Sequence, residues 1–224
     1  MKRSDKDSLG DLLVRVEQDL EPVRPLRTPW QRALVVLAWA CVSLALVLSF
    51  LGLREDCSLL GPWLSWLPLV TAFTVAYLMF LLVGREAIPG AGMVPAGAIV
   101  LTVAAAACHF ALGHFTYHRN PAGMPGHEGP MLHWGCITAM LVIGMPLIVF
   151  GVSVVRSGFA VRPWVAGLLT GAAAAVVADS VWRMHCPVTD PWHFLLSHSG
   201  PYTVIIAVGV ALLGRRSGAA KVDR

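Results

Sequence analysis

Charged residues are scarce in this sequence. Only 13% of its 224 residues are Asp, Glu, Lys or Arg, whereas soluble globular domains carry about 25%. Hydrophobic residues make up 56%, and they gather into long runs that almost no charge interrupts. A helix needs about 20 apolar residues to cross the hydrocarbon layer of a bilayer. The composition therefore excludes an ordinary soluble domain and predicts an all-α membrane protein with one membrane domain.

The sequence also lacks the signatures of several enzyme classes. It has no CxxC pair, no GxSxG nucleophile motif and no Walker phosphate loop. The stretch HEGPMLH places His127 and His133 six positions apart, whereas the zinc-protease motif HExxH separates its histidines by four. We therefore expect a protein that is not an enzyme.

Six apolar runs predict a bundle of six transmembrane helices. Pro, Gly and charged residues mark the gaps between the runs, and several tryptophans lie near the ends of runs, where amphipathic rings prefer to sit. The sixth run opens with polar residues, which predicts a short or broken helix. The predicted spans are Leu34–Leu53, Trp63–Val83, Met93–Gly113, Leu132–Val155, Trp164–Trp182 and His193–Leu213.

Lysine and arginine are distributed unevenly between the two sides of these spans. With both termini in the cytoplasm, fourteen of the 17 basic residues lie inside, and only Arg54, Arg119 and Arg183 lie outside. This is the bias that the positive-inside rule describes. It also accounts for the net charge of +4, so we expect no direct contact with nucleic acid. We predict a multi-pass membrane protein, with a cytoplasmic tail 1–32, a membrane domain 33–213 and a cytoplasmic tail 214–224.

All eight histidines and four of the five cysteines fall on the outer side of this topology. Cysteine and histidine are the usual ligands of zinc and copper. Histidine also suits a membrane interface, because its ring is partly apolar and its tip is wet. Both interpretations stay open, and we expect no cofactor apart from such a metal ion. The candidate metal ligands are His133, His185, His193 and His198.

A pair of thiols is a competing hypothesis for the same region. Cys136 and Cys186 both lie near the outer rim, and they would meet if the fourth and fifth spans pack together. Thiols in an oxidising compartment can pair or be oxidised. Asp179, near the outer end of the fifth span, adds a carboxylate that would be costly to bury without a partner.

The N-terminal tail predicts a short amphipathic helix. Its apolar residues recur at i, i+3, i+4, i+7 and i+11, which is one face of a helix, and Pro22 and Pro25 end it. The tail carries seven basic and six acidic residues, and this mixture favours a protein partner over lipid. A helix that merely lies against the bundle is the alternative. The predicted binding face consists of Leu9, Leu12, Leu13, Val16 and Leu20.

Four stretches resemble the six-span membrane anti-sigma factors of the negative-regulator-of-sigma-F family. They are LEPVRPLRTPWQRA in the tail, LREDCSLLGPW after the first span, HWGC at the fourth and MHCPVTDPWHFLLSHSGP before the sixth. The resemblance covers nearly the whole chain. It implies that the tail sequesters an extracytoplasmic-function sigma factor until an envelope or oxidative signal inactivates the protein. It also implies that Cys136 and Cys186 are the paired sensory cysteines of the family.

Size and layout are also similar to those of light-regulated myxobacterial anti-sigma proteins that control carotenoid synthesis. That similarity implies a photo-oxidative, singlet-oxygen stimulus and a role as a repressor in a stress response. The many histidines depart from the family pattern. Two other functions stay open: a metal-responsive membrane protein or transporter, and a haem- or quinone-binding redox protein. Few ionisable residues lie within the spans, which disfavours transport.

Overall fold

The computed structural model describes residues 27–120, 130–158 and 160–214, together with Gly10 and Val14; for 130–133 it describes the backbone alone. Every regular element in these ranges is a helix. The predicted sigma-binding face lies outside the described residues, as do His127 and the side chain of His133. That face comprises Leu9, Leu12, Leu13, Val16 and Leu20.

Seven helices make up the described chain, and five of them begin with a proline. Proline suits the first helical position, where its missing N–H would have had no partner. Asp190 caps the last helix, because its carboxylate accepts from the backbone N–H groups of Trp192 and His193. The helices are α1 (Pro29–Phe50), α2 (Cys57–Leu64), α3 (Trp66–Glu86), α4 (Pro95–Arg119), α5 (Pro130–Arg156), α6 (Pro163–Arg183) and α7 (Pro191–Gly214).

All of these helices except α2 are long and apolar enough to cross a membrane. The predicted number of membrane-length helices is therefore confirmed among the described residues, while several boundaries differ. Helix α4 continues to Arg119, beyond the predicted end at Gly113, because hydropathy marks where apolar residues end and not where the helix ends. Helix α2 forms mostly in the gap predicted between the first two spans and runs into the start of the second, and it bends at Gly61, whose φ is +71°.

Helix α6 lies at the centre of the bundle, with 83% of its apolar stretch buried. Its glycines and alanines let neighbouring backbones approach closely, as small residues do in membrane bundles. A Cβ added at Gly167 would lie 2.6 Å from the carbonyl oxygen of Gly209 in α7, and one at Gly171 would lie 2.7 Å from Cα of Ile206. The α6–α7 contact is therefore a backbone contact.

Helix α7 starts irregularly, as the polar opening of the sixth run predicted. An α-helical turn, Pro191–His193, leads into a π-helical segment, Phe194–Ser199, and the α-helix resumes over Gly200–Gly214. Residues five apart lie about 140° apart around an α-helix, whereas i→i+5 hydrogen bonding brings them to one side. The π-helical segment thus brings the rings of His193 and His198 to a centroid distance of 5.6 Å.

Two polar clusters mark the two ends of the bundle. At the first, which we call the Cys186 end, the Arg54 guanidinium donates to the Asp56 carboxylate at 2.5 and 2.9 Å, and Asn120 Nδ2 donates to the same carboxylate at 2.9 Å. Burial alone would raise the pKa of Asp56, but these donors hold that pKa below its usual value. Thr189 completes the cluster by donating to the Asn120 carbonyl oxygen at 2.8 Å, so three chain segments meet here.

The opposite end, which we call the Arg32 end, contains the buried carboxylate of Glu86. It accepts from the backbone N–H of Met93, and Arg162 Nη2 lies 3.8 Å away. Arg32, also buried, donates to the Val154 carbonyl oxygen at 3.4 Å. This end therefore gathers the start of α1 with the ends of α3 and α5.

Candidate metal centre and thiol pair

Four buried side chains with metal-binding atoms converge at the Cys186 end. Cys136 is in the second turn of α5, Cys186 is in the loop between α6 and α7, and His193 and His198 are at the start of α7. One ligand atom from each lies within 4.8 Å of all the others. We call this group the Cys₂His₂ cluster.

The two sulfur atoms of the cluster are close and unbonded. Sγ of Cys136 lies 3.8 Å from Sγ of Cys186, whereas a disulfide bond measures about 2.05 Å. Nε2 of His193 lies 3.5 Å from the Cys186 sulfur. The contact with Cys136 and the burial of the site raise the pKa of Cys186 well above its usual value. This environment therefore favours the thiol form of Cys186, and a bound cation would favour its thiolate.

Asp179 in α6 accepts hydrogen bonds from three side chains beside this cluster. Its carboxylate accepts from His198 Nδ1 at 2.9 Å, from His109 Nδ1 at 2.8 Å and from Arg183 Nε at 2.7 Å. Asp179 is 4% exposed, so the sequence-based expectation that this carboxylate needs partners is met by three of them. A buried carboxylate with several donors is stable where an isolated one would not be.

His109 links α4 to this network from the other side. Its Nε2 lies 3.0 Å from the Ser199 hydroxyl oxygen, and its ring stacks on Tyr202 with centroids 4.5 Å apart. The Arg183 guanidinium lies over the Phe194 ring at 4.9 Å, which is within cation–π range. These contacts therefore join α4, α6 and α7 to one another beside the cluster.

The structure brings together some of the sequence-predicted site residues and separates others. Cys136 and Cys186 are neighbours, and His193 and His198 join them. His185 lies elsewhere, because its Nδ1 donates to the Gly52 carbonyl oxygen at 3.2 Å. The sequence suggested a metal site and a thiol pair as separate hypotheses, whereas the structure places thiols and histidines at one position.

Sequence reasoning missed the role of His109. It lies near the outer end of the predicted third span, next to Cys108, and only the need of Asp179 for partners signalled that donors from other helices were required. His114 and His118, one turn apart on α4, also went unnoticed. They are exposed, and their ring centroids are 4.3 Å apart, but they are not part of the Cys₂His₂ cluster.

Comparison with known proteins places this architecture in a family. A sequence model described as "Negative regulator of sigma F" matches residues 17–217, which include all six membrane-length helices. The chain belongs to this family. The Anti-sigma-F factor NrsF of Caulobacter vibrioides is 28% identical over 187 residues, which cover 81% of this chain and 83% of that protein. No solved structure matches significantly.

Family membership confirms the resemblance seen in the sequence. The chain is a negative regulator of transcription of the anti-sigma kind, and its partner is a sigma factor. Such a protein is regulatory, which is consistent with the expectation that it is not an enzyme. The match begins at residue 17, after Leu9, Leu12, Leu13 and Val16, so the binding face in the tail still rests on the sequence pattern.

Proposed function

We propose that this protein is an anti-sigma factor of the bacterial inner membrane that keeps an extracytoplasmic-function sigma factor from RNA polymerase. The observation that carries the proposal is the family match across all six membrane-length helices. Sigma factors act in the cytoplasm, so the binding segment belongs on the cytoplasmic side. We accordingly propose a cytoplasmic tail 1–32, a membrane domain 33–213 and a cytoplasmic tail 214–224.

The placement of charge supports this orientation. In the proposed topology, fourteen of the 17 Lys and Arg residues lie on the side of the two tails and three lie outside. This count of basic residues, rather than the net charge, is what sets orientation. The Arg32 end is therefore proposed to face the cytoplasm, and the Cys186 end to face outward.

We propose that the tail binds the sigma factor as an amphipathic helix laid into an apolar groove. In this recognition mode, apolar residues at i, i+3, i+4 and i+7 supply the contact. Each apolar side chain that becomes buried contributes about 1.5–3 kcal/mol before the cost of ordering the helix is subtracted. The proposed contact residues are Leu9, Leu12, Leu13, Val16 and Leu20.

Capture of the sigma factor by full-length protein in detergent tests this proposal. The Leu13→Asp variant places a charge on the proposed face, and Gln18→Asp places the same charge on the opposite side of the predicted helix. We expect Leu13→Asp to weaken binding at least about tenfold, since burying an unpaired carboxylate is costly, and Gln18→Asp to bind as wild type does. Equal binding by all three proteins would refute the proposed face, and no binding by any would refute the anti-sigma proposal.

We propose that the signal acts at Cys136 and Cys186. Hydrogen peroxide would convert the two thiols into one disulfide, with both thiol protons and the oxidant's oxygens leaving as two water molecules. The sulfurs would have to approach from 3.8 Å to about 2.05 Å, which would pull the α6–α7 loop toward α5. Release of the sigma factor in response to peroxide, measured with a reporter gene, should be lost in Cys136→Ser and kept in Cys108→Ser.

Two parts of the expectation drawn from resemblance stay predictions. They are the singlet-oxygen stimulus produced by light and the control of carotenoid synthesis genes. Reporter induction by light, with and without a photosensitiser, would test the first. A metal-responsive function is the second candidate, and the Cys₂His₂ cluster favours it over haem or quinone chemistry because its ligands are those of a small metal ion.

A further inference from the structure

Two distances within the Cys₂His₂ cluster match those of a tetrahedral zinc site. Zinc binds cysteine sulfur at about 2.3 Å and histidine nitrogen at about 2.0–2.1 Å, so tetrahedral angles place two sulfurs about 3.8 Å apart and a sulfur and a nitrogen about 3.5 Å apart. Sγ of Cys136 and Sγ of Cys186 are 3.8 Å apart, and Cys186 Sγ and His193 Nε2 are 3.5 Å apart. We propose that Cys136, Cys186, His193 and His198 bind one zinc(II) ion.

Asp179 prepares one of the histidines for this role. A histidine that binds a metal through one nitrogen commonly donates its other N–H to a carboxylate, which fixes the tautomer and the ring orientation. Nδ1 of His198 donates to Asp179 at 2.9 Å. Nε2 is therefore the nitrogen with a free lone pair. The same carboxylate binds Arg183 and His109, so its own position is fixed from two further directions.

Charge and ligand type select the ion. Two thiolates and one divalent cation give a neutral centre with two neutral imidazoles, which is what a buried site tolerates. Sulfur and imidazole ligands exclude magnesium and calcium, which require oxygen. Four protein ligands leave no open position, and this is the pattern of structural zinc rather than catalytic zinc. The ion would join α5, the α6–α7 loop and the first turns of α7 into one unit.

The regulatory part of this inference rests on the proposed function, while the binding site does not. Zinc bound to both thiolates would occupy the sulfur atoms that an oxidant must reach. Peroxide oxidation of the two bound thiolates would form the disulfide, consume two protons to give two water molecules, and leave the ion with two protein ligands instead of four. Release of zinc would then accompany release of the sigma factor.

Zinc content of the full-length protein, purified in detergent without a polyhistidine tag, tests the site. We expect about one zinc per chain after loading with zinc and passage over a desalting column. Cys136→Ser and His198→Ala should each lose more than about nine-tenths of it. Cys108→Ser and His185→Ala are matched controls outside the cluster and should keep it. Equal zinc in all five proteins would show adventitious binding and overturn the proposal, as would the absence of zinc from wild type.

Two further measurements test the proposal, and the first uses the wild-type protein, so it does not depend on whether a variant folds. Cobalt(II) bound to the wild-type protein should show the intense visible bands of a tetrahedral site and near-ultraviolet thiolate-to-cobalt absorption; octahedral spectra would refute the geometry. Asp179→Asn should bind zinc about 10–100-fold more weakly in competition with a chromogenic chelator. Sigma-factor capture, measured on the same samples, separates the outcomes: capture without zinc refutes only the metal site, and zinc without capture refutes only the anti-sigma proposal.

Discussion

The two ends of the bundle each bury a carboxylate, but they hold it differently. At the Cys186 end, the partners of Asp179 come from α4, α6 and α7. At the Arg32 end, Glu86 accepts from the backbone of Met93, seven residues further along the chain, and Arg162 lies 3.8 Å away. The first carboxylate therefore fixes three helices relative to one another, and the second mainly closes the loop between α3 and α4.

This difference bears on how an anti-sigma factor with a distant sensor would work. A change at the Cys186 end alters contacts among several helices at once, whereas a change at Glu86 alters contacts between two loops, α3–α4 and α5–α6. Energetic coupling across a membrane requires an element that both ends can bias. Helices α6 and α7, whose backbones touch at Gly167 and Gly209, are the elements best placed to carry it.

The largest loss of stability is expected for Asp179→Asn. The amide keeps one acceptor but presents an NH₂ group to a site lined with donors, and Arg183 loses its counter-charge. Removal of one partner from a buried ion pair costs about 3–5 kcal/mol. Chemical unfolding of the full-length protein in detergent measures this loss. Asp190→Asn, which keeps a capping oxygen at the start of α7, should cost only a few tenths of a kcal/mol. Equal losses in the two variants would show that the network around Asp179 contributes no more to stability than a helix cap does.

A smaller loss of stability is expected for Glu86→Gln at the Arg32 end. Glutamine keeps an oxygen that accepts from Met93, and the charge that it removes faces Arg162, whose side chain is 35% exposed. We expect a loss of about 1 kcal/mol in the same unfolding measurement. Glu55→Gln makes the same chemical change on an exposed side chain and should stay within about 0.5 kcal/mol of wild type. A loss at Glu86 as large as that at Asp179 would mean that both ends hold several helices together.

The smallest loss of stability is expected for Asp56→Asn, and this loss depends on pH. The folded-state pKa of Asp56 is lowered by its hydrogen bonds with Arg54 and Asn120, so the ion pair stabilises the fold fully above the unfolded-state pKa of about 3.9. That contribution is lost as pH falls through the folded-state pKa. We expect a difference from wild type of about 0.5–1 kcal/mol at pH 6 that shrinks as pH falls below the unfolded-state pKa of about 3.9. A difference independent of pH would exclude the ion pair as its cause.

The sequence predicted the helices well because each is encoded locally. A run of apolar residues is sufficient to define a membrane-length helix, and the polar start of the sixth run was sufficient to indicate an irregular helix. The positions of Gly113 and Arg119 show the limit of this signal. Hydropathy drops before α4 ends, since polar residues such as His118 continue a helix without being apolar.

The candidate site depended on information that a single sequence does not contain. The sequence did show that Asp179 needs partners, because a carboxylate near a membrane span is costly to bury alone. The identity of those partners depends on how α4 and α7 rotate against α6, and His109 and His198 lie 70 residues before and 19 residues after Asp179. The convergence of the thiols with His193 and His198 likewise depends on how the helices pack. It requires a π-helical segment, for which hydropathy carries no signal.

The π-helical segment sets how the first turn of α7 is rotated relative to the rest of that helix. A π-helical turn amounts to an α-helix with one residue inserted, and one residue corresponds to about 100° of rotation. If Phe194–Ser199 rewound into an α-helix, the turn before it would swivel by that angle while Gly200–Gly214 stayed against α6. His193 would leave His198, and the four ligands would no longer share a centre. Occupation of the Cys₂His₂ cluster would therefore hold the start of α7 in its π-helical register.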